Sequence, residues 1–151
     1  MNIATLNTAL QLAITTAATT INAWSQTTYS KNHTFLDRID IKNLPSGDNC
    51  PCSVLRPRRR STGQNKRHQM NEFILWAFIT DTSSSEFTNG EAYRKLLEDA
   101  LVTKIGTLNA SLSMVDVEVD YDDISHYPLL LIEMKFKVKH EIPMGTGSLL
   151  T

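Results

Sequence analysis

Four histidines, two cysteines and a run of closely spaced acids are the side chains of this sequence best suited to chemistry, and their spacing argues against the usual uses of each. His33, His68, His126 and His140 are far apart, and none stands at a metal-ligand spacing from a second His, Cys or carboxylate on the same expected element. Cys50 and Cys52 enclose a single proline. That separation is too short for an ordinary structural disulfide and supplies half of a tetrahedral zinc set, so both are read as free thiols. Asp116, Glu118, Asp120, Asp122 and Asp123 have the oxygens to hold a hard cation, but the stretch lacks the glycine and the terminal bidentate glutamate of an EF-hand loop. No glycine-rich phosphate loop, nucleophile elbow or local Ser/His/Asp set occurs. The expectation is a protein that works through its surfaces and is not an enzyme, with no catalytic residues, no metal and no cofactor.

A different chemistry is concentrated in residues 49–71. This segment contains no acid and holds Arg56, Arg58, Arg59, Arg60, Lys66 and Arg67, six of the chain's 15 basic residues. Such charge density is expensive to bury and calls for solvent, anionic phosphate or a partner's carboxylates. No aromatic residues interleave the arginines, so base stacking lacks its platform. Contact with an acidic protein surface therefore ranks ahead of DNA or RNA, and a solvated loop is the plain alternative. A loop of this length inside a compact domain usually either carries function or is disordered when alone. Residues 43–71 are expected to project as a basic loop, an extended hairpin or arm between two adjacent strands, able to reach a neighbouring subunit.

The elements that would carry this arm follow from hydrophobic periodicity. In residues 5–24, Leu6, Leu10, Ala13, Ile14, Ala17, Ile21 and Trp24 recur at steps of three and four, the stripe of an amphipathic helix capped by Asn2 or Thr5. Its opposite side carries the uncharged Asn7, Gln11, Thr15, Thr19 and Asn22, a face suited to touching another subunit. Residues 33–42 alternate as a half-buried strand, ended by Pro45, Gly47 and Asp48. Residues 72–80 are apolar on both faces, as in a central strand covered on both sides. Residues 91–105 return to helical spacing with Ala92, Leu96, Ala100 or Leu101, and Ile105 in line, a cap at Thr88 or Asn89 and a stop at Gly106. Residues 114–121 and 129–140 alternate as two strands, with Val115, Val117 and Val119 inward on the first and Leu130, Ile132, Met134, Phe136 and Val138 inward on the second. Their outward faces oppose acids to lysines. An antiparallel turn near Tyr127 and Pro128 predicts the pairs Asp116 with Lys139, Glu118 with Lys137 and Asp120 with Lys135, each worth about 0.2 to 1 kcal/mol.

The chain has 151 residues, 17.0 kDa and 41% hydrophobic residues, enough for one core. The fold expected is α+β: a mixed, mainly antiparallel sheet flanked by two helices, one domain over residues 1–142, with a flexible tail at 143–151. A formal net charge of −1 and a pI near 6.4 exclude a globally basic nucleic-acid binder, leaving electrostatic function to the local patch. Residues 1–24 have no charged leader region and are too polar to span a bilayer, so cytoplasmic synthesis and no membrane partner are expected.

The layout resembles the tail terminator proteins of tailed bacteriophages, which cap the assembled tail tube and join it to the head connector. The resemblance spans nearly the whole chain and rests on architecture: the helix at 5–24, the strand and long projecting loop at 43–71, the hydrophobic strand at 73–80, the second helix at 91–105 and the strand pair closing at His140. It implies a structural virion protein of the neck, assembled in the host cytoplasm as a hexameric ring with a sheet around a lumen. Its partners would be further copies of itself, the tail tube and a neck or connector protein, with DNA at most passing through. Other neck or tube components, and a small nucleic-acid-binding module using the basic segment, are the competing readings.

Overall fold

The computed structural model describes residues 2–18, 34–38, 44–45, 50–63, 68–80, 86–122 and 129–141. In chain order these form helix α1 (Ile3–Ala18), strands β1 (Thr34–Phe35), β2 (Cys52–Thr62) and β3 (His68–Thr80), helix α2 (Glu86–Leu108), and strands β4 (Leu112–Asp122) and β5 (Leu129–Glu141). The five strands make one sheet in the order β1-β2-β3-β5-β4. Only β1 runs parallel to its neighbour, so the sheet is mixed and mainly antiparallel, and the fold is α+β as expected.

Helix α1 forms where the apolar stripe predicts it. Leu6, Leu10 and Ile14 are fully buried. Asn2 is the cap: its Oδ1 accepts from the Thr5 amide at 2.8 Å and the Thr5 hydroxyl at 2.9 Å, satisfying one of the orphan N–H groups of the first turn. The expected continuation to Trp24 lies outside the described residues.

Helix α2 departs from its expected phase and ends. Tyr93, Leu97, Leu101 and Ile105 are the buried positions, while Ala92 is exposed and Leu96 only half-buried. Apolar residues occupy two neighbouring stripes, and the one carrying the large Tyr93 removes more area from water. Thr88 and Asn89 lie inside the helix rather than at its cap. So does Gly106; the stop comes at Asn109, whose Oδ1 accepts from the Ser111 amide at 2.8 Å and whose carbonyl accepts from Leu112 at 3.0 Å.

Both helices pack on one face of the sheet. The core there joins Leu6, Leu10 and Ile14 of α1 with Tyr93, Leu97, Leu101 and Ile105 of α2, over the inward side chains of β3 and β5. All five residues expected to point inward from 129–140 do so. On the opposite face a small second cluster gathers Cys50, Cys52, Phe78 and Leu129, with Leu36, Leu44, Trp76 and Leu131 against it. That explains why β3 is apolar on both sides at this end only. Toward Glu72 the same face becomes ionic.

One row of the sheet organises its irregularities. Phe73 of β3 stands opposite Phe136 of β5, their rings stacked 5.4 Å apart and 7° from parallel. On one side of that pair β2 carries a surplus residue, its register stepping between Pro57 and Arg59. On the other side β4 does the same between Val115 and Glu118, and Asp116 there takes φ 53. Asp tolerates this left-handed conformation better than most residues. The bulge moves Val115 off the inward phase and puts Leu112, Met114, Val117, Val119 and Tyr121 against the helices.

The three charge pairs expected between these strands do not form as stated. The register places Ser113 opposite Lys139, Val115 opposite Lys137, Glu118 opposite Lys135 and Asp120 opposite Glu133. Glu118 and Asp120 already stand two residues away from the register that a turn centred at Tyr127 and Pro128 sets, and the surplus residue at Asp116 shifts the ladder by one more beyond it.

Candidate interaction surface

The basic segment is for the most part strand. Arg56, Arg58, Arg59 and Arg60 lie on β2, and β3 begins at His68, four residues before the expected strand start at Glu72. Residues 64–67, with Lys66 and Arg67, are outside the described residues, as are 43 and 46–49. Over 52–62 and 68–71 the segment expected to project as a loop, an extended hairpin or arm, is a hairpin whose two arms are strands of the main sheet. Burial explains why alternation did not reveal it: β2 is buried on both faces from Cys52 to Leu55 and exposed on both from Arg56 to Thr62. A strand that is covered throughout and then uncovered throughout has no period of two.

The four arginines are held unequally. Arg56 donates through Nε to the Asp37 carbonyl at 3.2 Å, with Nη2 on the same oxygen. Arg60 donates from Nε to Asn71 Oδ1 at 3.0 Å, and Asn71 Nδ2 in turn donates to Gln69 Oε1 at 3.2 Å. Asn71 and Gln69 are buried, so this polar relay fixes one end of the hairpin. Nothing in the sequence marked these two residues, since hydrophilic side chains beside arginines read as loop. Arg58 and Arg59 are exposed and have no carboxylate partner among the described residues.

Across the sheet, the ionic face alternates in sign. Lys137 Nζ lies between Asp116 at 3.3 Å and Glu72 at 3.8 Å; Lys135 reaches Glu133 at 3.3 Å and Lys139 reaches Glu141 at 3.5 Å. These groups are roughly a quarter to two-thirds exposed, so each contact contributes at most about 1 kcal/mol. Trp76 Nε1 donates to the other Glu133 oxygen at 2.7 Å. Glu118 and Asp120 have no cation partner among the described residues. A shallow cleft above Phe73 and Phe136 brings Arg58, Glu72, Asp116, Glu118, Lys135 and Lys137 together.

A second ionic group joins α2 to β4. Arg94 binds Glu91 at 2.6 Å and also Glu98, and the Tyr121 hydroxyl donates to the second Glu91 oxygen. The bonds from Arg94 and then Tyr121 hold the Glu91 carboxyl below its ordinary value. Burial first, and the bond to Glu91 second, push the Tyr121 phenol up to about 12. The helical spacing of Glu91, Arg94 and Glu98 is legible in sequence; the tyrosine thirty positions away is not.

The other candidates stay apart. Cys50 and Cys52 are buried free thiols, Cys52 being lowered by its hydrogen bond with Cys50 against the opposing effect of burial. His68 lies 3.7 Å from Glu141 at the end of the hairpin, and burial lowers His140, whereas His33 and His126 are outside the described residues. Among the described residues no group of three or more His, Cys, Asp or Glu is placed to hold a metal ion, and no helix is long and apolar enough to cross a membrane. What the surface offers is charge carried on a sheet: Arg58 and Arg59 on one outer strand, Glu118 and Asp120 on the other, without ion-pair partners among the described residues.

No protein-family model matches the sequence, and no curated protein is significantly similar to it.

Proposed function

We propose that this chain is a structural assembly protein of the tail terminator kind, forming a ring that caps a phage tail tube and joins it to the head connector. The observation that carries the reading is the basic hairpin. Arg56 to Arg60 ride on a strand of the main sheet, held by Asn71 and Gln69, so the arm presents its charge in a set direction. An ordered arm suits docking between subunits, because little conformational freedom is lost on contact. The order of helix, hairpin, helix and closing strand pair also agrees with the layout on which the resemblance rests.

The test is the mass of the purified protein by light scattering, with electron micrographs of the same sample. A discrete assembly near six copies with a central opening, unchanged by added DNA, is the expected result. The competing reading is a nucleic-acid module, favoured by the exposure of Arg58 and Arg59. A monomer whose DNA affinity collapses with salt would establish that reading and remove the ring.

A further inference from the structure

The two outer strands of the sheet carry opposite charge. The sequence of β2 has four arginines and no acid, and that of β4 has Asp116, Glu118, Asp120 and Asp122 and no base. On the outer side of β2, the only strand among the described residues is the two-residue β1, which pairs with Cys52 and Ser53; with the Asp37 carbonyl on Arg56, this leaves Pro57 to Thr62 beyond it. Among the described residues, β4 has no strand neighbour on its outer side. An outer strand with unpaired N–H and C=O groups is a template for another chain, and charges on it decide which chain is admitted.

We infer that the β2 edge of one copy receives the β4 edge of the next, arginines against acids, as the repeating contact of the assembly. This rests on the reading of the protein as a self-assembling ring. A symmetric contact would set β2 against β2 or β4 against β4, four like charges facing four. The heterologous contact sets opposite signs together at Arg58, Arg59, Glu118 and Asp120, none of which has an ion-pair partner among the described residues.

Both bulges flank the Phe73–Phe136 row, so surplus Arg58 and surplus Asp116 stand at the same height on opposite sides of the sheet. On the same rows Glu118 is level with Arg56 and Asp120 with Val54, so bringing Glu118 beside Arg58 takes a slide of two residues along the strands. Such a stagger between neighbours is what a sheet closing on itself requires, since its strands tilt to the axis. Since β2, β3, β5 and β4 alternate in direction, the new neighbours are antiparallel, which continues the pattern of the sheet.

The experiment is oxidative cross-linking of full-length chains carrying Arg58→Cys and Glu118→Cys together. Within one copy these positions are three strand spacings apart, about 14 Å, beyond the reach of a disulfide. The double variant should give a ladder of covalent multimers ending at the size of the ring. Each single variant, and the natural chain with its buried Cys50 and Cys52, should give none. Dimers from a single variant at the yield of the double would mean like edges pairing, and would overturn the proposal. Absence of a ladder overturns it as well. If light scattering still shows a ring in that case, only this contact is wrong; if it shows a monomer, the ring reading falls too.

Charge reversal gives a second readout independent of disulfide geometry. Arg58→Glu with Arg59→Glu should weaken association at least tenfold, and adding Glu118→Lys with Asp120→Lys in the same chain should restore it. Association unchanged by the first pair, or not recovered by the second, speaks against the contact.

Discussion

Gly90 and Gly106 share helix α2 but not surroundings, and the same substitution should act in opposite directions at the two. A Cβ at Gly90 would collide with Leu130 Cδ2, which is itself buried, so overpacking of about 1 to 3 kcal/mol outweighs the gain of about 1 kcal/mol in helix propensity. Around Gly106 a Cβ meets nothing. Urea denaturation should therefore show Gly90→Ala destabilised by about 1 kcal/mol and Gly106→Ala stabilised by about 0.5 to 1 kcal/mol. The Glu91 and Tyr121 pair makes a pH prediction at the same scale. Glu91 is lowered in the fold, so its contribution is present above its ordinary value of 4.5 and is lost as pH falls through the folded value. Tyr121 is raised, so its contribution is present below pH 10 and is lost as pH rises through about 12. Ultraviolet titration of the natural chain minus Tyr121→Phe should show one phenol ionising near 12; a step near 10 would mean that the phenol is neither buried nor bonded to Glu91.

Among the elements, the register of β4 on β5 separates what alternation predicts from what forms. Asp120 faces Glu133, so Asp120→Lys should stabilise the monomer by about 0.2 to 1 kcal/mol, whereas Glu118→Lys faces Lys135 and should destabilise it by a similar amount. The register expected from the sequence makes both harmful, and thermal denaturation at low protein concentration tells them apart. In α2, Leu97→Ala should cost about 2 to 5 kcal/mol and Leu96→Ala clearly less, because only Leu97 is fully enclosed. The legible parts of the fold share a cause. α1, β3 and β5 each bury one continuous stripe or run, so a single period describes them. α2 offers two apolar stripes, and only packing chooses between them. β4 changes phase at Asp116, a device invisible to a count of alternating residues. β2 changes from covered to exposed midway, which hid a strand within an arginine cluster. The charge of the basic segment was thus readable, and the strand pairing that carries it was not.

For the whole molecule, the sheet is a carrier of opposed charge on opposed edges over a core that both helices share. An interface built on arginine and carboxylate should weaken with salt, because the Debye length falls from about 10 Å at 0.1 M to about 3 Å at 1 M. Sedimentation across that range should show assembly giving way to monomer without loss of fold; mass unaffected by salt would point to an apolar contact, with exposed Leu12 and Val102 on the helices as its first suspects. The paired bulges also bear on how the chain tolerates change in length. Deleting Arg58 or Asp116 would restore an unbroken ladder and leave every inward side chain on its own face, since Pro57 and Val117 would still flank the stacked rings. Deleting a residue well away from the bulge on either strand would turn part of a face inside out. Each outer strand therefore has one position where a codon can be lost without loss of phase, and related chains a residue shorter there should keep the same core.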